Sequence, residues 1–368
     1  MNDSSTPEFD TQIEGTASEG FASWLSKVSG SLAVTTYQAG KLALIGWNGR
    51  QVSLLMREFQ KPLGLAVDGQ RMAIACRHEV LFYHNDPLLA HEYLEGQPGR
   101  YDALYLPRVG YYAGDMNIHD IAFGHDGLWM VNTRFSCLSA LSKDYSFEPC
   151  WQPSFISELV PEDRCHLNGL AMHEGKAKFV TAFGAHDSVG GWRDNKASGG
   201  IIIDFESKEI ALSGLSMPHS PRFYRGQWWV LNSGAGELWV VEPQRGQHFV
   251  VCSLPGYLRG LAFVGSYALV GLCQIRERRT FGGLPVQERF AKLVCGIAVI
   301  DLLTGQQVGL FEFTSGCQEL YDVEFLPGIF RANILAPGSA AARQAFSAPE
   351  FSYWLRPNAQ ITDEQPVR

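Results

Sequence analysis

Lys61-Pro62-Leu63-Gly64-Leu65-Ala66-Val67 is the stretch on which the fold reading turns. After a short variable lead it runs small, aliphatic, small, large apolar. The run returns as Asn117-Ile118-His119-Asp120-Ile121-Ala122-Phe123 and as His166-Leu167-Asn168-Gly169-Leu170-Ala171-Met172. A looser copy is Met217-Pro218-His219-Ser220-Pro221-Arg222-Phe223. Tyr257-Leu258-Arg259-Gly260-Leu261-Ala262-Phe263 and Glu319-Leu320-Tyr321-Asp322-Val323-Glu324-Phe325 complete the series. The third position falls at residues 63, 119, 168, 219, 259 and 321, a period of about 40–60 residues, which is the size of a propeller blade.

Strand-like runs fill the intervals. Trp228-Trp229-Val230-Leu231 and Leu238-Trp239-Val240-Val241 follow one copy, and Ile297-Ala298-Val299-Ile300-Asp301 and Val308-Gly309-Leu310-Phe311 follow another. β-branched and aromatic runs punctuated by Gly and Asp read as strands and hairpins. Four strands per unit at this period give a β-propeller, whereas a β-sandwich would have no reason to repeat. Six copies give six blades. Little β-rich sequence follows the last copy, and three spare strands precede the first: Ser31–Thr36, Leu42–Trp47 and Val52–Met56. The expected fold is therefore all-β, a six-bladed β-propeller closed by N-terminal strands pairing with the C-terminal innermost strand. Residues 21–337 form the propeller. Residues 1–20 read as a flexible arm and 338–368 as a tail, from their Ser, Ala, Pro and charge content.

Composition narrows the function. Of 368 residues, 46% are hydrophobic, enough to build a core, and the formal net charge is -8. That balance gives no general attraction to nucleic acid or to an anionic membrane, and no apolar run is long enough to span one. The eight cysteines form no CxxC, and Met1–Gly20 lacks the basic and apolar regions of a secretory signal. The expectation is a cytoplasmic protein with reduced thiols.

In a propeller the leading ends of the innermost strands converge on one channel mouth, so the repeats are read as columns. The third column is Leu63, His119, Asn168, His219, Arg259 and Tyr321; the first is Lys61, Asn117, His166, Met217, Tyr257 and Glu319. Positions one and three of a strand share a side. His119, His166 and His219 come from consecutive blades, and converging neutral imidazoles bind divalent transition metals such as Zn, Fe or Cu. They are the expected metal ligands, with Glu319, Tyr321 and Asn168 handling protons or orienting a substrate. Arg222 and Arg259, with Arg276 and Arg278 from a long insertion over the same mouth (Ile275 to Lys292), are the expected substrate-binding residues for a carboxylate or phosphate. Gly184–Gly199 and Tyr101–Met116 read as further loops on that face, the latter with Tyr101, Tyr105, Tyr111 and Tyr112. No GxSxG, P-loop or HExxH is present. Gly234-Ala235-Gly236 lacks the helix of a dinucleotide site and reads as a turn.

The aligned strands resemble six-bladed propellers of the NHL, gluconolactonase-like and strictosidine-synthase-like kinds. Asp163-Arg164-Cys165-His166-Leu167-Asn168-Gly169-Leu170-Ala171, Met217-Pro218-His219-Ser220-Pro221-Arg222 and Phe281-Gly282-Gly283-Leu284-Pro285-Val286 resemble a bacterial family described as a domain of unknown function, from about Trp24 to Pro337. The resemblance implies a propeller without a settled activity. Gluconolactonase-like propellers hold a divalent cation with Glu, Asn and Asp. Only Asn168 and Glu319 match here, and the histidines move the expected metal from calcium towards softer ions. Two functions follow. One is a metal-assisted enzyme acting on a small anionic or peptide substrate by hydrolysis, elimination, cyclisation or oxidation. The other is a non-catalytic propeller presenting the same mouth to a peptide or protein partner.

Overall fold

The computed structural model describes residues 12–275 and 281–355. Arg276 and Arg278 lie outside the described residues. Six sheets, each with a four-stranded antiparallel core, stand in a ring. Blade 1 comprises Leu65–Asp68, Arg71–Ala75, Glu79–Asn85 and Ala103–Tyr112, from the channel outward, and blades 2 to 5 start at Ile118, Leu167, His219 and Tyr257. Blade 6 has Val323–Pro327 innermost, followed by Gly30–Thr36, Lys41–Trp47 and Val52–Glu58. The closure read from the sequence is the closure observed: Val34 pairs with Val323 and Leu32 with Phe325 in antiparallel register. Each innermost strand contacts the next around the circle, and the last contacts the first.

The repeated pattern has a packing cause. Strands such as Gly200–Asp204 are buried on both faces between blades, so Ile201, Ile202 and Ile203 read as a continuous apolar run. The small residue at position four sits where the next blade comes closest. A Cβ on Gly64 would lie 3.0–3.1 Å from the backbone of Asp120 and Ile121, and one on Gly260 2.6 Å from the Val323 nitrogen. Where that column carries a polar side chain, the side chain stitches blades together. Asp120 accepts the Leu170 N–H (3.0 Å), Asp322 the Leu65 N–H (3.1 Å) and Ser220 the Gly260 N–H (3.1 Å).

Both ends of the described chain lie on the rim. Glu14–Ala17, inside the expected N-terminal arm, adds a fifth strand to blade 5 beside Gln307–Ser315. The helix Glu19–Leu25, capped by the Ser18 hydroxyl, buries Phe21, Trp24 and Leu25. Ala332–Ile334 runs parallel to Ala103–Tyr105 on the outer edge of blade 1, where the hairpin Ala345–Ala348/Phe351–Trp354 also packs, Trp354 donating to the Leu89 carbonyl. Covering an outermost strand removes an exposed sheet edge. Tyr101–Met116 is not a loop: Ala103–Tyr112 is the fourth strand of blade 1, with Tyr105 buried in it. No disulfide occurs among the described residues, and no helix among them is long and apolar enough to cross a membrane.

Candidate functional site

The site begins with a backbone turn. Position one of four repeats, at Lys61, Asn117, His166 and Met217, has a left-handed φ of 47–55°. This conformation costs a non-glycine residue about 1–2 kcal/mol. It bends the chain as it enters the innermost strand, so positions one and three do not share a side as in a plain strand. The bend also sets the imidazoles. The position-one carbonyls of Asn117 and Met217 accept from His119 Nδ1 (2.8 Å) and His219 Nδ1 (3.0 Å). A carbonyl only accepts, so Nδ1 carries the proton and the neutral ring keeps its lone pair at Nε2. His166, itself at position one, turns Nδ1 to the Asp163 carboxylate at 2.9 and 3.0 Å. Burial holds His119 and His219 well below the usual imidazole range; the neighbouring His166 adds to this for His119, and Arg259 for His219.

The three histidines meet at one mouth, but not around one point. His119 and His166 pack edge to face at 4.7 Å between centroids. The Phe183 ring packs against both His166 and His219, stacking on the first at 4.3 Å and meeting the second edge-on at 5.2 Å. Among the described residues no three His, Cys, Asp or Glu side chains are disposed to hold one metal ion. A guanidinium charge also bears on two of these rings, His119 and His219.

That guanidinium is Arg259. It is buried, with its carbon 4.8 Å from the Tyr321 ring centroid, 5.1 Å from Tyr257 and 5.5 Å from Phe281. No carboxylate pairs with it among the described residues, and its Nε is buried without a hydrogen-bond partner. Three other polar atoms here share that condition: His219 Nε2, Tyr321 Oη and Asn168 Nδ2. The other end of the Asn168 amide accepts from Thr181 at 2.7 Å. Glu319 is buried nearby, and its charge favours the Arg259 cation. Burial keeps the Tyr321 phenol well above its ordinary value, with Arg259 pulling the other way.

Two of the three segments expected as loops over the mouth contribute to it. Gly184–Gly199 carries a short 3-10 turn, Gly191–Asn195, that places buried Trp192 on the His166 ring at 4.6 Å. The described part of the Ile275–Lys292 insertion brings Phe281 to 5.0 Å from Tyr257.

Arg222 lies elsewhere. It sits deeper in the channel, at position six, and is matched by acids: Nη1 is 2.9 Å from Asp120 Oδ2 and Nη2 is 3.6 Å from Asp322 Oδ1. Its Nη1 also donates to the Pro221 carbonyl at 3.0 Å. Burial pushes the Asp322 carboxyl up to about 7; Arg222 opposes the rise and Asp120 adds to it. Arg222 therefore braces three blades instead of facing the mouth. The signal was present in the repeats. Asp120 and Asp322 interrupt a column of Gly and Ser, and Arg222 and Glu324 interrupt a column of Ala66, Ala122, Ala171 and Ala262.

Residues 19–335 match the family model described as "Domain of unknown function (DUF4915)", and the chain belongs to that family. No curated protein matches the chain in sequence. Among solved structures, a nidogen/laminin complex contains a chain 11% identical to this one with a TM-score of 0.52, the match covering 81% of this chain and 98% of that one. It supports the fold alone. The computationally designed Ika8 protein is 12% identical over 78% of this chain and 80% of its own, with a TM-score of 0.35.

Proposed function

We propose that this member of the family binds a small organic acid at the channel mouth, with Arg259 holding the carboxylate and a histidine Nε2 accepting from a hydroxyl or amino group beside it. The observation that carries this reading is the buried Arg259 Nε without a partner, with the likewise unpartnered Tyr321 Oη and His219 Nε2 in its neighbourhood. Leaving one such group unsatisfied costs about 1–3 kcal/mol. A ligand with an acidic end and a neighbouring donor satisfies donors and acceptor together. The rings of Tyr257, Phe281 and Tyr321 shield the guanidinium from water and strengthen its grip on an anion. A metal-free site fits this arrangement better than the expected transition-metal triad, since a guanidinium among the imidazoles repels a divalent cation.

Catalysis is a second reading, favoured by the neutral state of His119 and His219. An unprotonated imidazole beside an arginine-held carboxylate is placed to take a proton from the adjacent carbon and to return one to that carbon, either the same proton or one exchanged with solvent.

The test is calorimetric titration with 2-hydroxy acids, 2-amino acids and acidic peptides, on protein stripped with a chelator and on protein reloaded with Zn, Fe or Cu. Binding by stripped protein, weakened about 5–150-fold in Arg259→Lys, is the expected result, because lysine keeps the charge and loses the planar fork. Binding that needs reloaded metal, or equal affinity of the variant, rejects the proposal. For the bound acid, deuterium uptake at the carbon next to the carboxylate, seen by NMR in heavy water, separates catalysis from binding.

A further inference from the structure

A second basic site lies on the flank of the ring, away from the mouth. The segment Phe330–Ala332 crosses from blade 6 to blade 1 and leaves a cleft of about 430 Å³ beside the strands Lys41–Trp47 and Val52–Glu58. Its geometry rests on close backbone approach. A Cβ on Gly46 would lie 2.0 Å from the Phe330 carbonyl oxygen, which accepts the Trp47 N–H at 3.1 Å. Asp102 pins the crossing segment by accepting the N–H groups of Phe330 (2.9 Å) and Arg331 (2.8 Å), so its carboxylate is occupied with backbone.

Arg50, Arg100 and Arg331 all line this cleft, and none of its lining residues is acidic. On a chain of net charge -8 such a grouping departs from the average surface. Among the described residues no carboxylate forms an ion pair with any of the three. Arg100 reaches only the neutral Gln97 side chain and lies over the Tyr101 ring, 5.9 Å from its centroid. A second feature points inward. Ser31 lines the same cleft, is 1% exposed, and its hydroxyl has no partner. Three guanidiniums around one cleft repel one another, and forked donors of this kind match phosphate and carboxylate oxygens.

We infer that this cleft binds a small polyanion, a phosphate ester or a di- or tricarboxylate, through Arg50, Arg100 and Arg331 with the Ser31 hydroxyl as an inner hydrogen-bonding group. The cleft volume suits one small molecule. The inference does not depend on the ligand of the mouth.

The experiment uses the full chain and two probes, inorganic pyrophosphate and propane-1,2,3-tricarboxylate, which lacks the hydroxyl that the mouth reads, titrated by calorimetry at constant ionic strength with chloride as the background anion. Saturable binding of at least one probe is expected, and which one binds tells a phosphate ligand from a carboxylate ligand. Arg50→Gln with Arg331→Gln is expected to weaken it at least tenfold. Ser31→Ala, which removes one hydroxyl and leaves all three charges, is expected to weaken it two- to fivefold. Arg259→Lys at the mouth is expected to leave it unchanged. Failure of both probes to bind, full binding by the double glutamine variant and by Ser31→Ala, or an equal loss in Arg259→Lys overturns the inference.

Discussion

Arg222 and Arg259 stand in adjacent blades of the same channel and have opposite surroundings. Arg222 is held between Asp120 and Asp322, and its Nη1 also donates to the Leu170 and Pro221 carbonyls. Arg259 is held by three aromatic rings and keeps a buried Nε without a partner. Burial alone therefore does not mark a functional charge. A buried charge whose partners are present serves the fold, whereas one whose partners are missing points to something the fold does not supply. The channel is thus a braced interior below an unsatisfied mouth.

The most severe way to break this comparison removes the wall both regions share. Truncation after Gly316 takes away Tyr321 from the mouth, Asp322 from the interior and the innermost strand of blade 6. It is expected to abolish cooperative unfolding, observed as loss of the calorimetric transition. A truncated chain that still melts cooperatively would show that the ring does not need its closure.

A narrower cut separates the two arginines. Arg222→Leu leaves two buried carboxylates facing each other and is expected to cost about 3–5 kcal/mol, the range for breaking a buried pair from one side. Arg259→Gln removes a charge supported by ring contacts worth about 0.5–2 kcal/mol, so its cost in denaturant unfolding should be the smaller of the two. Equal losses would place Arg259 in the framework with Arg222 and sink its assignment to ligand binding.

The smallest effect is a dependence on pH. His119 and His219 are held below the usual imidazole range in the folded protein and regain it on unfolding. A depressed folded value gives stability that is present above the unfolded pKa of 6.5 and is lost as pH falls below it. Two such groups remove about 1 kcal/mol between pH 7 and pH 6. Asp322, raised to about 7, works the other way over this interval, so the measurement is a difference between wild type and His119→Asn with His219→Asn. Parallel stability curves for the two proteins would mean that the imidazoles are not kept neutral by the mouth.

Much of this was legible in the sequence because a propeller is periodic. Six copies of one strand fixed the blade count, and three strands without an inner partner at one end of the chain fixed the closure. The same columns led to His119, His166, His219 and Arg259. They did not show that position one turns left-handed, which is why His166 takes Asp163 as its partner while the other two take backbone carbonyls. Nor did they place Phe183 between His166 and His219, since Phe183 follows a second strand and belongs to no column. Arg222 was misplaced for a different reason: side chains of one repeat reach different depths of the channel, and depth is a property of the whole ring. The Arg50–Arg100–Arg331 cleft has no periodic signature, because it forms where the chain leaves its repeats to cross from one blade to another.

The closure also sets a clock. Asp322 N–H donates to Thr35 Oγ1 across 287 residues of chain. At a synthesis rate of about 5–20 residues per second, the first strands of blade 6 emerge about 15–60 s before the strand that completes them. Throughout that interval Gly30–Thr36 presents an unpaired edge, the kind of surface that recruits the wrong strand from a neighbouring chain. Slowing translation over the last blades lengthens that wait, and is expected to raise the aggregated fraction without altering any contact in the finished ring.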